Sequence, residues 1–199
     1  MRKRAAKLFI AAGAVLITAS LLLALYNILE ARKAGKDAER LLGAVKEVVA
    51  QLPTPALPDT PLPAEMPVTE VDGYGIIGFI ALPELGIELP VMDQWDYQRL
   101  TKAPCRHFGS SRTDDLVIAA HNYESHFKRL SELSEGSEAI FTDMEGYENR
   151  YILQRLQTLQ PDAVDAVRDS GCDLVLYTCT PGGAARVAAF FNRAEETDF

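Results

Sequence analysis

What the chain lacks narrows its function first. Its 199 residues include only three cysteines, Cys105, Cys172 and Cys179. The number is odd, so outside the cytoplasm at most one pair can close and at least one thiol stays free. No C-x-x-C pair is present. His121 and His126 have a permissible ligand gap but no such companion, and the seven-residue step from Cys172 to Cys179 is unlike a zinc knuckle, so no metal site is expected. Cations are scarce where the chain is longest. Up to residue 69 there are 9 Lys/Arg against 6 Asp/Glu, a balance of +3; from residue 70 on there are 11 against 22, a balance of −11, giving −8 in all. Phosphate binding needs clustered cations, and no basic stripe exists, so nucleic acid is excluded as a partner.

What is present begins with a long apolar run. Arg2, Lys3, Arg4 and Lys7 precede Leu8–Tyr26, which is interrupted only by Gly13, Thr18 and Ser20 and carries no charge. A bilayer takes ~20 apolar residues to span. The cationic start keeps the N-terminus in the cytoplasm and puts the rest of the chain outside. A cleaved signal peptide is the competing reading. Its apolar core would be only ~7–15 residues and would end at a small-residue site, whereas Leu25-Tyr26-Asn27-Ile28 follows here. Residues 1–28 are therefore read as a basic start and an uncleaved transmembrane anchor. Residues 29–52 continue as a juxtamembrane helix, with Leu41, Leu42, Val45, Val48, Val49 and Leu52 at three- and four-residue steps. Such a narrow stripe suits packing on the next domain or self-association, and a plain stalk is the simplest expectation. Pro53–Pro67 holds six prolines in fifteen residues, so 53–68 reads as a semi-rigid spacer that lifts the domain off the membrane.

Residues 69–199 alternate short apolar runs with turns, the pattern of a mostly antiparallel barrel or sandwich with one or two short helices. Gly75–Ala81 is one strand, and Glu138–Thr142 pairs with Tyr151–Thr158 across Met144–Tyr147. Pro161–Ser170 carries a helical signature. Two short apolar runs end in reactive side chains. Leu116–Ala120 delivers His121, and Leu174–Tyr177 leads through Thr178 to Cys179. A Pro181-Gly182-Gly183 turn then reverses the chain, and the returning strand is entered through Arg186. A thiol, an imidazole and a guanidinium can serve as nucleophile, acid–base group and oxyanion partner. Alone, a cysteine after an apolar strand is more often a buried structural thiol; the company of His121 and Arg186 reverses that. His126 and His107 are expected in polar loops, Cys172 in packing or paired with Cys105, and Arg193 on the surface at the far end of the last strand. Ser110 and Ser111 are expected in a turn.

These residues resemble a family, the sortases, membrane-anchored cysteine transpeptidases of Gram-positive cell surfaces. The family's T-L-x-T-C stands here as Val175-Leu176-Tyr177-Thr178-Cys179, departing only at its first position. V-I-A-G-H stands as Val117-Ile118-Ala119-Ala120-His121, with Phe127 and Leu130 following, and Arg186 opens the strand after the cysteine. Gly78–Ile87 and Leu89-Pro90-Val91 are similar to the family's G-x-I-x-I-P-x-L-x-I…L-P-V. The resemblance covers roughly residues 70–193. It implies a closed β-barrel and a catalytic set of Cys179, His121 and Arg186, with no cofactor. Thr178, Asn122 and Thr180 are expected along the substrate groove. It also implies substrates, surface proteins or pilins, carrying an L-P-x-T-G-like signal, and an amine acceptor on a peptidoglycan cross-bridge or a pilin lysine. His121-Asn122-Tyr123 is similar to the class B pattern, although the seven-position step from Cys179 to Arg186 is short for most sortases. Two other readings use the same residues: a catalytically silent scaffold of the same fold, and a thiol protease that only hydrolyses. Leu57-Pro58-Asp59-Thr60 matches L-P-x-T within the spacer, where Pro61 takes the place of Gly. Composition accounts for it better than a pseudosubstrate lid does.

Overall fold

In the computed structural model, residues 2–53, 55 and 61–194 are described. Leu57–Thr60 lies outside them. The anchor and juxtamembrane segments form one helix, α1 (Arg2–Ala50), whose apolar part is long enough to cross a membrane. Nine strands follow: β1 (Thr69–Val71), β2 (Tyr74–Leu82), β3 (Ile87–Met92), β4 (Cys105–Phe108), β5 (Leu116–Ala120), β6 (Glu138–Asp143), β7 (Glu148–Leu159), β8 (Leu174–Cys179) and β9 (Arg186–Arg193). Two short helices, α2 (Tyr97–Leu100) and α3 (Val164–Arg168), sit in the connections.

The strands form one sheet in the order β1-β2-β3-β4-β5-β8-β9-β7-β6, and a β2–β6 pairing closes eight of them into a barrel. Closure depends on Gly78 at φ +151, because a Cβ there would lie 2.1 Å from the Thr142 carbonyl oxygen. Ile77, Ile80, Phe127, Phe141, Tyr151 and Phe191 are among the side chains that fill the interior. The expected mainly β barrel with short helices is present. β6 and β7 form the expected hairpin, but Glu138–Thr142 pairs with Glu148–Ile152, not with Tyr151–Thr158, because the rest of the long β7 pairs with β9.

β5 pairs in parallel with β8 from Leu116↔Leu174 to Ala120↔Thr178. All five β5 residues are buried, as expected where a parallel strand is covered on both faces. Alternation sends Leu116, Ile118, Leu174 and Leu176 into the barrel. Val117 and Val175 point outward, under Val167 of α3.

The spacer and the stalk differ from expectation. Ala34, Ala38, Leu41 and Val45 of α1 are at most 2% exposed. Leu41 and Val45 share an apolar cluster with Val71, Ile76, Met92 and Ala119 of the barrel wall. Burial of this stripe outweighs a free stalk, since each fully buried Leu or Val contributes ~1.5–3 kcal/mol. The end of the spacer is pinned as well. Met66 is 3% exposed, and the Ser111 hydroxyl lies 3.3 Å from its sulfur. The described end of the spacer at Met66 thus lies against the barrel that the helix also contacts.

Candidate active site

The parallel register decides where the chemistry gathers. Ala120 and Thr178 are register partners, so the next residues, His121 and Cys179, leave the barrel side by side at the same end of neighbouring strands. Adjacent strands lie ~4.8 Å apart. Across the antiparallel β8–β9 ladder Cys179 pairs directly with Arg186. Paired residues share a face, and this is the outer one that carries Val175 and Tyr177. One barrel wall therefore presents imidazole, thiol and guanidinium together.

The turn joining β8 to β9 is held by its own backbone. Thr180 N–H donates to the Ala185 carbonyl at 2.9 Å and Gly183 N–H to the Thr180 carbonyl at 2.8 Å. Gly182 and Gly183 adopt φ of 81° and 75°, which glycine reaches without the usual steric cost. Arg186 Nη1 donates to the carbonyls of Gly183 and Ala185 at 3.2 and 3.1 Å. Its Nε and Nη2 have no partner among the described residues.

All three side chains open into a cleft of about 290 Å³. Its lining includes Ala119, Tyr177 and His107, Trp95 and Tyr97, and Leu159, Val164 and Val167. Such a lining receives apolar side chains while the few polar groups fix orientation. Tyr177 Oη and His107 Nδ1 are 2.7 Å apart, and the His107 ring lies 5.5 Å from Trp95. Burial holds His107 below its usual range. It stands on β4 in the cleft lining, not in a loop as expected, because β4 pairs with β5, and His107 is the bulged residue between Arg106, opposite Ile118, and Phe108, opposite Val117. Sequence reasoning did not find Trp95, Tyr97 or Tyr177 in this role; they meet only through strand order.

His121 is half-buried and stacks on Tyr123 with ring centroids 4.8 Å apart. Burial lowers its basicity, while the Glu30 carboxylate of α1 acts in the opposite sense. His126, expected in a polar loop at the surface or groove rim, is 0% exposed within the connection that follows His121. Neither of its ring nitrogens has a partner of good geometry among the described residues. Burial, with His121 adding to it, pushes it down to about 4, and the Lys102 backbone offsets a small part. The loop turns inward here because Phe127 and Leu130 fill the barrel and carry His126 with them.

The three flanking residues stand outside the cleft wall. Thr178 is 2% exposed, and its hydroxyl donates to the Ala120 carbonyl at 2.9 Å, tying β8 to β5. It faces inward because it alternates with Tyr177 and Cys179. The Thr180 hydroxyl is occupied by Ala185, donating to its carbonyl at 3.2 Å and accepting from its N–H at 3.0 Å. Asn122 is half-buried beyond His121. Cys105 and Cys172 are free and lie in different core clusters, not joined to each other. Burial pushes the Cys105 thiol up to about 12. Arg193, at the far end of β9, binds Asp114 and the Ser111 carbonyl.

The sortase-domain family model matches residues 80–192, more than half of the chain, and spans His121, Cys179 and Arg186. The chain belongs to the sortase family. Solved structures agree in fold. Sortase C1 of GBS pilus island 1 is 17% identical, with a TM-score of 0.60 over 81% of this sortase and 94% of that chain. Sortase C1 from Streptococcus agalactiae is 25% identical, with a TM-score of 0.54 over 64% and 72%. Sortase C from Clostridium perfringens SM101 is 17% identical, with a TM-score of 0.52 over 83% and 90%. No curated protein matches. The structures just named are called sortase C, so the class B-like expectation drawn from His121-Asn122-Tyr123 gains no support from them.

Proposed function

We propose that this sortase is a membrane-anchored cysteine transpeptidase whose nucleophile is Cys179, with His121 as acid–base group and Arg186 as oxyanion and substrate-backbone donor. The observation that carries the reading is the convergence of these three side chains, from β5, β8 and β9, in one apolar cleft. The Cys179 thiol gives its proton to His121, and the sulfur attacks the carbonyl after the threonine of an L-P-x-T-G-like signal. Unpartnered guanidinium N–H groups of Arg186 suit a developing oxyanion. As the tetrahedral adduct collapses, the C–N bond breaks and the imidazolium protonates the departing amine, leaving a thioester on Cys179. An incoming amine, deprotonated by His121, attacks that thioester. A new amide forms and the thiol is restored. Water in place of the amine gives hydrolysis. The N-terminus lies in the cytoplasm and the barrel outside. Donors are surface proteins or pilins, and the acceptor amine belongs to a peptidoglycan cross-bridge or a pilin lysine.

The test uses the full chain in detergent, a library of L-P-x-T-G-like peptides and a small amine, followed by mass. Amine-tagged product is expected. It should vanish in Cys179→Ala and His121→Ala and fall by ~10²–10³ in Arg186→Ala, the usual effect of losing an oxyanion donor. Hydrolysis without tagged product would favour the protease. No product at all, with Cys179 resisting thiol reagents, would favour the silent scaffold.

A further inference from the structure

Where the anchor helix reaches the barrel there is a second cavity, apart from the cleft. From Ala14 to Leu29 every α1 residue is exposed, and partial burial starts at Glu30 and Ala31. A few residues on, Ala34 is 1% exposed and a Cβ on Gly35 would lie 3.1 Å from both Cβ and Oγ of Ser125, so helix and barrel touch there. Beside that contact lies a niche of about 390 Å³, within the range of small-ligand sites. Its helix side is Tyr26, Glu30, Lys33 and Asp37, which recur at steps of four, three and four and share one face. Its barrel side is Thr101 and Lys102, from the connection between β3 and β4.

Depth and charge say what fits. Leu29 also lines the niche and, at 54% exposed, is the last large apolar side chain before the charged residues begin. Lys33 follows four residues later, ~6 Å along the axis. The headgroup layer on each face of a bilayer is ~5–7 Å deep, so Lys33 stands at headgroup level when the apolar run spans the membrane. Tyr26, 60% exposed, lies where aromatic rings meet that layer. Of the four charged groups only Lys102 and Asp37 pair, at 3.4 Å, which leaves Lys33 and Glu30 without an ion pair among the described residues. One free cation and one free carboxylate, three residues apart on the helix, match a dipolar ligand. A simple anion would meet Glu30 in the same cavity, whereas a headgroup with both a phosphate and an ammonium satisfies both side chains.

Building on the membrane-anchored reading, we propose that this niche binds the headgroup of a zwitterionic phospholipid with a primary amine, its phosphate oxygens accepting from Lys33 and its ammonium donating to Glu30, while its acyl chains run past Leu29 and Tyr26. The bound lipid bridges α1 and the β3–β4 connection. That same connection carries Trp95 and Tyr97 into the cleft, so the lipid ties the height of the cleft to the membrane surface.

The test is native mass spectrometry of the full chain in detergent, supplied with phosphatidylethanolamine and phosphatidylglycerol in equal amounts, with thermal melting in each lipid alongside. The wild type should retain phosphatidylethanolamine in preference, and that lipid should raise its melting temperature. Lys33→Gln should weaken retention about tenfold or more, the effect of losing one charge-assisted hydrogen bond. Glu30→Gln should reverse the preference toward phosphatidylglycerol, because the niche then offers a free cation alone. Lys36→Gln, which removes an exposed cation of the same helix outside the niche, should change nothing. An excess of inorganic phosphate should leave the lipid in place; displacement would overturn the lipid assignment in favour of a free-anion site. Equal retention of the two lipids by both the wild type and Glu30→Gln would overturn the charge pairing. A chain that alkaline washing strips from membranes would sink the anchored reading and the niche together, whereas a chain that stays in the membrane without lipid preference would overturn the niche alone.

Discussion

Single side chains carry two separable predictions. His126 is buried in its neutral form, so its folded value lies below the ordinary 6.5, at about 4. Between those values the unfolded chain binds the extra proton and the folded one does not. Stability is therefore full above about pH 6.5 and is lost as pH falls toward 4. From pH 7 to pH 5 the loss from this residue should be about 2 kcal/mol. His121 and His107, also lowered by burial, add in the same direction. Urea midpoints at pH 7, 6 and 5 should show the decline, and His126→Leu should flatten it. Thr178 sits beside Cys179 in sequence but hydrogen-bonds across the β5/β8 seam. Thr178→Val should cost about 1 kcal/mol, the worth of one such bond, and leave the KM of a signal peptide unmoved. A raised KM with unchanged stability would instead place Thr178 in the substrate groove.

At the scale of the element, the joints are more sensitive than the strands. Gly78→Ala puts a methyl group against the Thr142 backbone at a φ that L side chains rarely adopt. It should destabilise by about 3 kcal/mol, in the upper range for single substitutions, and weaken the β2–β6 pairing, visible as faster amide exchange in β6. Much at this level was legible in the sequence. The β5 and β8 runs, the Pro181–Gly183 reversal and the β6–β7 hairpin all follow from local patterning, and with them the positions of His121, Cys179 and Arg186. The remainder depends on pairings that no local pattern encodes. His107 reaches the cleft because β4 joins β5, and Trp95 and Tyr97 reach it from the β3–β4 connection, Tyr97 as the first residue of α2. The Leu41 and Val45 stripe was visible, but whether barrel, second helix or solvent covered it was not. Its partner is a wall built later in the chain.

Across the whole molecule, helix and barrel share a core, so α1 is part of the folding unit and not merely a tether. Residues 68–199 alone would expose the surface that Leu41, Val45 and Met66 now cover. At ~1.5–3 kcal/mol for each buried apolar side chain, that fragment should melt about 10 °C or more below the full chain. Scanning calorimetry of the two compares them directly, and equal melting temperatures would show that docking contributes little.

The three thiols lie in unequal surroundings. Cys105 and Cys172 are sealed in the core, whereas Cys179 is half-open at the cleft. A soft electrophile added to the native chain thus meets one address. The label it leaves counts competent sites, any peptide seated in the cleft should slow its arrival, and unfolding should unmask two further reactive groups. The chain carries its own occupancy gauge and its own denaturation alarm in the same chemistry, with no cysteine needing to be added or removed.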